Sequence, residues 1–391
     1  MPDANDRDRQ DSGRIVLVDP RPLLEHDFGP QHPFKIYRLG LTYELLAAYG
    51  LSDLPGTRII VPRKASESEA ICFHEDAYLE ALRLADAGIW SSELLRHGLG
   101  TGDNPVFPGI YDWAMSVGGA SIDCATEIAE GRADRAFNMS GGLHHAMPDH
   151  ASGFCHVNDA VLGIHRLLEA GKRVAYVDID AHHGDGVERA FYARSDVLTI
   201  SVHQSGYTIF PGSGFVEDVG TGPGAGFSIN VPLLPGAGDA AYDLAMNEAV
   251  LPALEAFAPD VLATQLGSDA IEGDVVANLN MSLRRFEACV QQFAELDLPW
   301  LAFGGGGYDV GNVVRAWTMV WATMVGRDLP DEIPSAWAAQ AATHGLSIPG
   351  LRGADRPTPT SERVLEALEA SIEQLRTAVF PILSEAAEGS T

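Results

Sequence analysis

Short runs of β-branched residues recur along the chain, and most are followed by a stretch with helical apolar spacing. Eight runs predict strands, at residues 14–19, 57–62, 135–140, 173–180, 197–203, 227–233, 261–269 and 300–307. Amphipathic stretches such as 159–171 and 242–257 lie between them and predict helices. This alternation indicates an α/β protein with a mostly parallel, eight-stranded sheet and helices on both faces.

The pattern favours one domain, over residues 14–385, because neither an internal repeat nor a clear linker interrupts it. Residues 1–13 are charged and are expected to form a disordered tail, with residues 386–391 as a short C-terminal tail. Residues 329–359 are rich in Pro, Ala and Gly and are expected to wrap the surface irregularly. A last helix is predicted after an N-cap at Ser361.

Polar or glycine-rich clusters follow four of the predicted strands. They are GGLHH, DIDAHHGDG, GSD and GGGGY, which begin at residues 141, 178, 267 and 304. In open α/β sheets, ligands bind beyond the carboxyl ends of the strands. Four separate segments are therefore expected to bring side chains to one rim of the sheet.

The second cluster places Asp178, Asp180 and His182 at alternate positions. Alternate residues of an extended chain point the same way, so Asp180 and His182 can bind one cation, with Asp178 on the same side. Burying these carboxylates without a counter-charge would be costly, and a metal ion removes that cost. A site with one position open for water needs a third protein ligand, and Asp269 is the best candidate.

His144 and His145 stand side by side just after two glycines. Two adjacent histidines that serve one site require a loop, and glycine allows the chain to bend sharply. A hydrolytic water needs a general base, and a histidine serves well when a carboxylate holds its other nitrogen. Asp178 and Asp185 offer one carboxylate for each histidine, which predicts two His–Asp dyads.

Composition narrows the class of partner. The chain has 391 residues, with 26 basic and 54 acidic side chains and a net charge of -28. This charge disfavours nucleic acid and anionic membranes, and it suits solubility or cationic ligands.

No apolar run reaches the ~20 residues of a membrane span. The N-terminus lacks a secretory signal and the four cysteines show no paired spacing, so a reduced cytoplasmic setting is expected. The oligomeric state stays open.

Seven stretches together resemble the zinc-dependent histone deacetylase family, whose members have the arginase-like fold. They lie within residues 14–325 and are HPFKIYRLGLTYELL, GDNPVFPGIYDWAMSVGGA, GGLHHAMPDHASGFCHVNDA, VDIDAHHGDGV, FPGSG, QLGSDAIEGD and GGGGYDVGNVVRAWT. Within the family, the chain most resembles the bacterial acetoin-utilisation deacetylases. The resemblance implies an amidohydrolase that removes acetyl from lysine in proteins, with acetyl-CoA synthetase as one possible substrate.

The resemblance also implies a catalytic role for each member of the site. His145, oriented by Asp185, would be the general base and then the acid, and His144, paired with Asp178, would be its electrostatic partner. Tyr308 would donate a hydrogen bond to the acetyl carbonyl and stabilise the oxyanion. The implied metal ligands are Asp180, His182 and Asp269, and this donor set accepts Zn²⁺ or Fe²⁺.

Further positions follow from the same resemblance. Phe154 and Phe210, with Gly153 beside them, would wall a narrow tunnel for an acyl-lysine stem. Asp103 would hold the substrate backbone at the rim, and Arg38 would line an acetate-exit cavity. Structural K⁺ or Na⁺ is also implied: one site would use Asp178, Asp180, His182 and Ser201, and another would lie around Phe191, Arg194, Val197 and Phe227.

Departures from the family pattern bear on the substrate. Met147, His156 and Glu272 are expected to alter the rim rather than the metal centre. Val276 stands where polyamine-specific members carry a glutamate, which argues against polyamines. The acidic surface would nevertheless suit polycations, so a small acetylated amine or polyamine is an alternative substrate.

Two other functions are weaker alternatives. An arginase-like di-metal ureohydrolase would need more Asp and His ligands than this chain offers. A non-catalytic acyl-lysine binding module would be expected to lack Tyr308 or His145, and both are present.

Overall fold

The computed structural model describes residues 14–388, so the predicted tail at residues 1–13 lies outside the described residues. All eight predicted strands form. Their bounds are β1 Ile15–Val18, β2 Thr57–Ile60, β3 Arg135–Asn138, β4 Val174–Asp178, β5 Val197–Gln204, β6 Ser228–Leu233, β7 Val261–Gln265 and β8 Trp300–Phe303. They make one sheet in the order β2-β1-β3-β8-β7-β4-β5-β6, and every neighbouring pair is parallel. The predicted eight-stranded α/β fold is confirmed.

Helices connect the strands. Their bounds are α1 Tyr37–Ala48, α2 Glu67–Ala70, α3 Asp76–Asp86, α4 Ser92–Arg96, α5 Ile110–Ala129, α6 Asp159–Glu169, α7 Asp185–Phe191, α8 Asp239–Ala245, α9 Leu251–Phe257, α10 Leu283–Glu295, α11 Val310–Met324, α12 Ser335–Thr343, α13 Glu362–Ala378 and α14 Phe380–Glu388. A π-helical turn, Met246–Val250, joins α8 to α9. No helix within residues 14–388 has both the length and the apolar character needed to cross a bilayer.

The sheet is covered on both faces, as β4 illustrates. Val174 and Tyr176 belong to a hydrophobic cluster that includes residues of α5, α6 and α7. Ala175 and Val177, which point the other way, belong to a larger cluster that includes residues of α1, α10 and α11. Burial on both faces accounts for the nearly continuous apolar runs of these strands.

Two predicted boundaries differ from the structure. The segment 329–359 is not irregular throughout, because its alanine-rich part forms α12, and alanine is the strongest helix former. Trp337 of α12 is buried, and its indole N–H donates to the carbonyl of Leu41. Ser361 stands at the N-cap of α13, but its side chain makes no capping hydrogen bond. A further helix, α14, follows α13 and extends to Glu388, into the predicted C-terminal tail.

The sheet order brings the four polar segments together. They follow β3, β8, β7 and β4, which are consecutive neighbours in the centre of the sheet. The last residues of these strands are level: Asn138 pairs with Phe303, Phe303 with Gln265, and Gln265 with Asp178. The loops that leave these strands therefore start side by side at one edge.

Candidate active site

A buried Asp–His–Asp group lies where the chain leaves β4 and β7. Asp180, His182 and Asp269 each offer a ligand atom, and these atoms lie within 4.8 Å of one another. His182 Nδ1 is 3.1 Å from Asp180 Oδ1 and 3.0 Å from Asp269 Oδ2. The structure thus brings the three predicted metal ligands together.

The chemistry of this group fits a divalent cation. The two carboxylates are fully buried side by side, and burial together with the charge of Asp180 raises the pKa of Asp269 to about 7. A cation would offset that repulsion, and an imidazole with two carboxylates is a donor set that Zn²⁺ and Fe²⁺ accept. The backbone also closes tightly around the ligands: a Cβ at Gly306 would lie 2.2 Å from Asp269 Oδ2. Only glycine permits this approach.

Contacts that sequence reasoning missed orient the ligand carboxylates. Gln265, the last residue of β7, donates its side-chain amide to Asp180 Oδ2 at 2.7 Å. The backbone N–H of Gly306 donates to the same oxygen at 2.8 Å. The N–H of Ala181 donates to Asp269 Oδ1 at 2.8 Å. Such outer contacts fix ligand geometry. The available signal was the position of Gln265, directly before the LGSD segment.

The two predicted His–Asp dyads form. His144 Nδ1 lies 2.7 Å from Asp178 Oδ2, and His145 Nδ1 lies 2.7 Å from Asp185 Oδ1. The two imidazole centroids are 4.0 Å apart, and the ring of His145 is 5.9 Å from that of His182. Because Nδ1 of each histidine is bonded to a carboxylate, Nε2 is the nitrogen left for other partners.

The two histidines differ electrostatically. Burial lowers the pKa of His144, but Asp178 and Asp180 outweigh burial and raise it to about 9. Burial and the neighbouring His144 lower the pKa of His145 to about 4, against the effect of Asp185. These shifts favour a neutral His145 ring at pH 7, as a general base must have, and a cationic His144 ring with both nitrogens protonated.

A dipeptide at the start of α6 holds the histidine loop, and sequence reasoning did not identify it. The carboxylate of Asp159 accepts the N–H groups of Gly142 and Leu143, at 3.0 and 2.8 Å. Asn158 Nδ2 donates to the carbonyls of His144 and Ala146, both at 3.1 Å. Asn158 is also the N-cap of α6, and an N-cap pattern was the only signal for it.

Aromatic rings border the approach to this group. The ring of Phe154 packs edge-on against Tyr308 at 5.6 Å, and Phe210 packs edge-on against His145 at 4.9 Å. Phe210 is also 6.4 Å from His182. A Cβ at Gly153 would lie 2.4 Å from the His145 ring, so the chain passes directly against this histidine.

The family model of the histone deacetylase domain matches residues 32–324 of this chain, which include all of these site residues. The chain belongs to the histone deacetylase family. Histone deacetylase 8 of Xenopus tropicalis is 43% identical over 299 residues, which are 76% of this chain and 80% of that protein. Type-1 histone deacetylase 1 of Dictyostelium discoideum is 39% identical over 312 residues, or 79% of this chain. The chain spans only 62% of the length of this Dictyostelium relative.

Solved structures agree with the family and the fold. An HDAC homolog from Aquifex aeolicus superposes with a TM-score of 0.84 at 28% identity, covering 92% of this chain and 100% of that one. An HDAC homolog complexed with SAHA gives a TM-score of 0.83 at 29% identity, covering 91% and 99%. The predicted family and arginase/deacetylase fold are confirmed. These matches do not bear on the narrower resemblance to acetoin-utilisation deacetylases.

The residues predicted to lie at the rim of this histone deacetylase fold differ in how exposed they are. Asp103 is exposed and lines a cavity of about 440 Å³ together with Phe154 and His32. Val276 is partly buried, and its backbone N–H donates to Asp274. His156 is not at the rim, contrary to expectation. It is fully buried, with Nε2 3.2 Å from the carbonyl of Pro105.

The other two departures from the family pattern, Glu272 and Met147, differ in how exposed they are. Glu272 is exposed, so it can alter the surface as expected. Met147 is partly buried, and its carbonyl bonds to Nδ1 of the buried His74. His156 packs edge-on against Phe28, which gives it a role in the interior. The sequence could not distinguish these environments, because each depends on segments distant along the chain.

Arg38 is buried behind the glycine run that precedes Tyr308. Its guanidinium donates to the carbonyls of Gly307 and Gly305, at 2.5 and 2.8 Å. It lies between the rings of Phe34 and Trp317, 4.2 and 4.9 Å from their centroids. Burial lowers the pKa of Arg38 to about 10. The arginine therefore supports this segment, and its predicted role in acetate exit stays a proposal.

The groups assigned to monovalent cations lie along β4, β5 and β6. Ser201 pairs with Asp178 across β5 and β4, and its hydroxyl is 2.8 Å from His203 Nδ1. In the second group, Arg194 donates its N–H to the carbonyl of Phe191 at the end of α7. Phe227 accepts the N–H of Thr199, two residues after Val197. Both cation sites stay predictions.

Proposed function

We propose that this protein is a metal-dependent hydrolase that removes the acetyl group from acetyl-lysine in a protein substrate. The observation that supports this most is one buried arrangement: a metal-ligand triad, a carboxylate-oriented histidine pair and a tyrosine, bordered by aromatic rings. Family membership supports the same conclusion.

Asp180, His182 and Asp269 would hold the ion, Zn²⁺ in the first instance, which would supply Lewis acidity and lower the pKa of water. His145 accepts a proton from the water as its oxygen bonds to the acetyl carbon. The Asp185 carboxylate holds His145 with Nε2 available for that proton.

The remaining steps use neighbouring side chains. Tyr308 donates its hydroxyl hydrogen bond to the carbonyl oxygen as negative charge develops there, and protonated His144 stabilises the same charge. His145 then gives its proton to the lysine nitrogen as the C–N bond breaks. The products are acetate and a free lysine amine, and the histidine returns to its neutral form.

The approach to the site suits the lysine side chain. Phe154 and Phe210 would contact its unbranched methylene stem, which carries no polar group to satisfy. Exposed Asp103 would accept hydrogen bonds from the backbone N–H groups of the peptide. Acetyl-CoA synthetase is the specific protein substrate that the resemblance to acetoin-utilisation deacetylases suggests.

A small acetylated amine is the second candidate substrate. The net charge of -28 favours cationic ligands of any size. Against a polyamine in particular, Val276 offers no carboxylate at the position predicted to meet its second amine.

The test is hydrolysis of an acetyl-lysine peptide by the full chain loaded with Zn²⁺ or Fe²⁺. Equal amounts of acetate and deacetylated peptide are expected, lost on chelation and in His145→Ala. Binding of the peptide without acetate release would instead favour a binding module. Hydrolysis of acetylated amines alone would favour the second candidate.

A further inference from the structure

The loop that follows metal ligand Asp269 runs beside the segment that carries Tyr308. The N–H of Ser268 donates to the carbonyl of Gly306 at 2.9 Å. Asn312 of α11 donates its side-chain amide to the carbonyl of Glu272 at 3.2 Å. Asp274 lies two residues after Glu272 and makes two hydrogen bonds to the segment that carries Tyr308.

The Asp274 carboxylate binds three backbone N–H groups. Its Oδ2 accepts the N–H of Tyr308 at 2.7 Å and that of Asp309 at 3.1 Å. Its Oδ1 accepts the N–H of Val276 at 2.9 Å. Hydrogen bonds to an ionised carboxylate are stronger than neutral ones. One partly buried side chain therefore anchors both the start of the Tyr308 segment and the predicted rim position.

Helix capping does not account for these bonds. The N-cap of α11 is Asp309, whose own carboxylate accepts the N–H of Asn312 at 2.8 Å. The Asp274 carboxylate instead accepts the N–H of the N-cap residue itself and that of Tyr308, the residue before it, which bears the hydroxyl. The four residues before Tyr308 are all glycines, so they have no side chains of their own with which to fix its position.

We propose that Asp274 is a positioning residue that sets the location of the Tyr308 hydroxyl through its hold on the Tyr308 backbone. The inference rests on the proposed deacetylase function. A donor to a developing oxyanion must lie within about 2.7–3.1 Å of it. The hydrogen bond from the Tyr308 N–H to Asp274 fixes the backbone of Tyr308 between the glycine run and α11, and so holds its hydroxyl in place.

A double-mutant cycle tests the proposal, with kcat and KM measured on an acetyl-lysine peptide. Asp274→Ala should lower kcat on the order of 10- to 100-fold, with KM little changed, as expected for a misplaced catalytic group. In a Tyr308→Phe background, Asp274→Ala should change kcat by less than about twofold. The hydroxyl that Asp274 positions is already absent there.

A merely structural Asp274 would lower kcat by the same factor in both backgrounds, and that result would overturn the proposal. If Asp274→Ala does not fold, Asp274→Asn serves, because its single carboxamide oxygen keeps only part of the anchor. Asp274→Asn should lower kcat by a smaller factor than Asp274→Ala, and it should leave kcat nearly unchanged in the Tyr308→Phe background. An equal Asp274→Asn loss in both backgrounds would likewise overturn the proposal.

The matched control is Asp260→Asn. This carboxylate also accepts a backbone N–H, from Arg173 at 2.8 Å, but it lies at the opposite end of β7. Its kcat should equal that of the parent. An inactive parent would overturn the proposed function together with this inference, whereas an active parent with additive losses would overturn this inference alone.

Discussion

His145 Nδ1 and Asp185 Oδ1 lie 2.7 Å apart, and an equivalent contact of 2.7 Å joins His144, the preceding residue of the loop, to Asp178. The two dyads are alike in geometry and differ in charge, because the pKa of His145 falls to about 4 and that of His144 rises to about 9. A base must be neutral to accept a proton, so this difference favours His145 for the proposed role of general base.

We therefore expect His145→Ala to lower kcat by about 10²–10⁴, the usual contribution of a general base, with the metal still bound. His144→Ala should cost less, because its contribution is electrostatic. The measurements are kcat on an acetyl-lysine peptide and metal content of each purified variant. A His145→Ala enzyme that turns over like the parent would remove the assignment.

A second prediction concerns how many divalent ions the chain binds and how tightly. One divalent ion per chain is expected, and Asp180→Ala or Asp269→Ala should abolish or severely weaken its binding. Gln265→Leu should retain the ion with about 10- to 100-fold lower affinity, because it removes a bond that orients Asp180 but leaves all three ligands in place. Elemental analysis and metal titration check this. Two catalytic ions per chain, or full occupancy in both alanine variants, would contradict it.

Local patterns explain why the eight strands and the metal ligands were predictable. Most of the strands are β-branched runs, and each polar segment follows its strand closely, so neighbouring positions in the sequence carried the information. His74 and Asn158 are different, because their bond joins residues 84 positions apart. Asp274 and Tyr308 are 34 apart. A single sequence gives no distance between such segments, which is also why His156 was assigned to the rim.

The buried His74 makes stability depend on pH. Its Nδ1 is 3.0 Å from the carbonyl of Met147, and its Nε2 accepts the N–H of Asn158 at 3.0 Å. These bonds require the neutral ring with its proton on Nδ1. Burial lowers the pKa of His74 to about 4 from 6.5. Below pH 6.5 the unfolded chain binds the proton more readily, so the folded state loses stability as the pH falls from about 6.5 toward 4.

His74→Gln should remove this dependence, since glutamine does not titrate and its carbonyl can accept the Asn158 N–H. Between pH 7 and pH 5, the parent should lose on the order of 2 kcal/mol more unfolding free energy than the variant. Urea unfolding at both pH values measures it. His344→Gln, at an exposed position, is the control and should behave like the parent. Equal losses in parent and His74→Gln would refute the prediction.

The last prediction concerns exposed Asp103 and the kind of substrate. The backbone carbonyl of Asp103 lies 3.1 Å from His32 Nε2. Asp103, His32 and Phe154 all line the same cavity. The Asp103 carboxylate could accept N–H groups that flank acetyl-lysine, and a minimal acetyl-amine has no such pair. Asp103→Ala should therefore cost about 1.5–3 kcal/mol more in kcat/KM on a peptide than on that amine, the range for hydrogen bonds to a charged group.

The comparison needs both substrates in both proteins, because loss of a carboxylate also changes long-range attraction of cations. Asp53→Ala controls for that effect: Asp53 is exposed and precedes β2, at the amino end of the sheet and away from the rim. It should leave the ratio of the two kcat/KM values unchanged. If Asp103→Ala lowers both values equally, the carboxylate does not hold the peptide backbone. The acidic surface would then favour a small cationic amine as strongly as a protein.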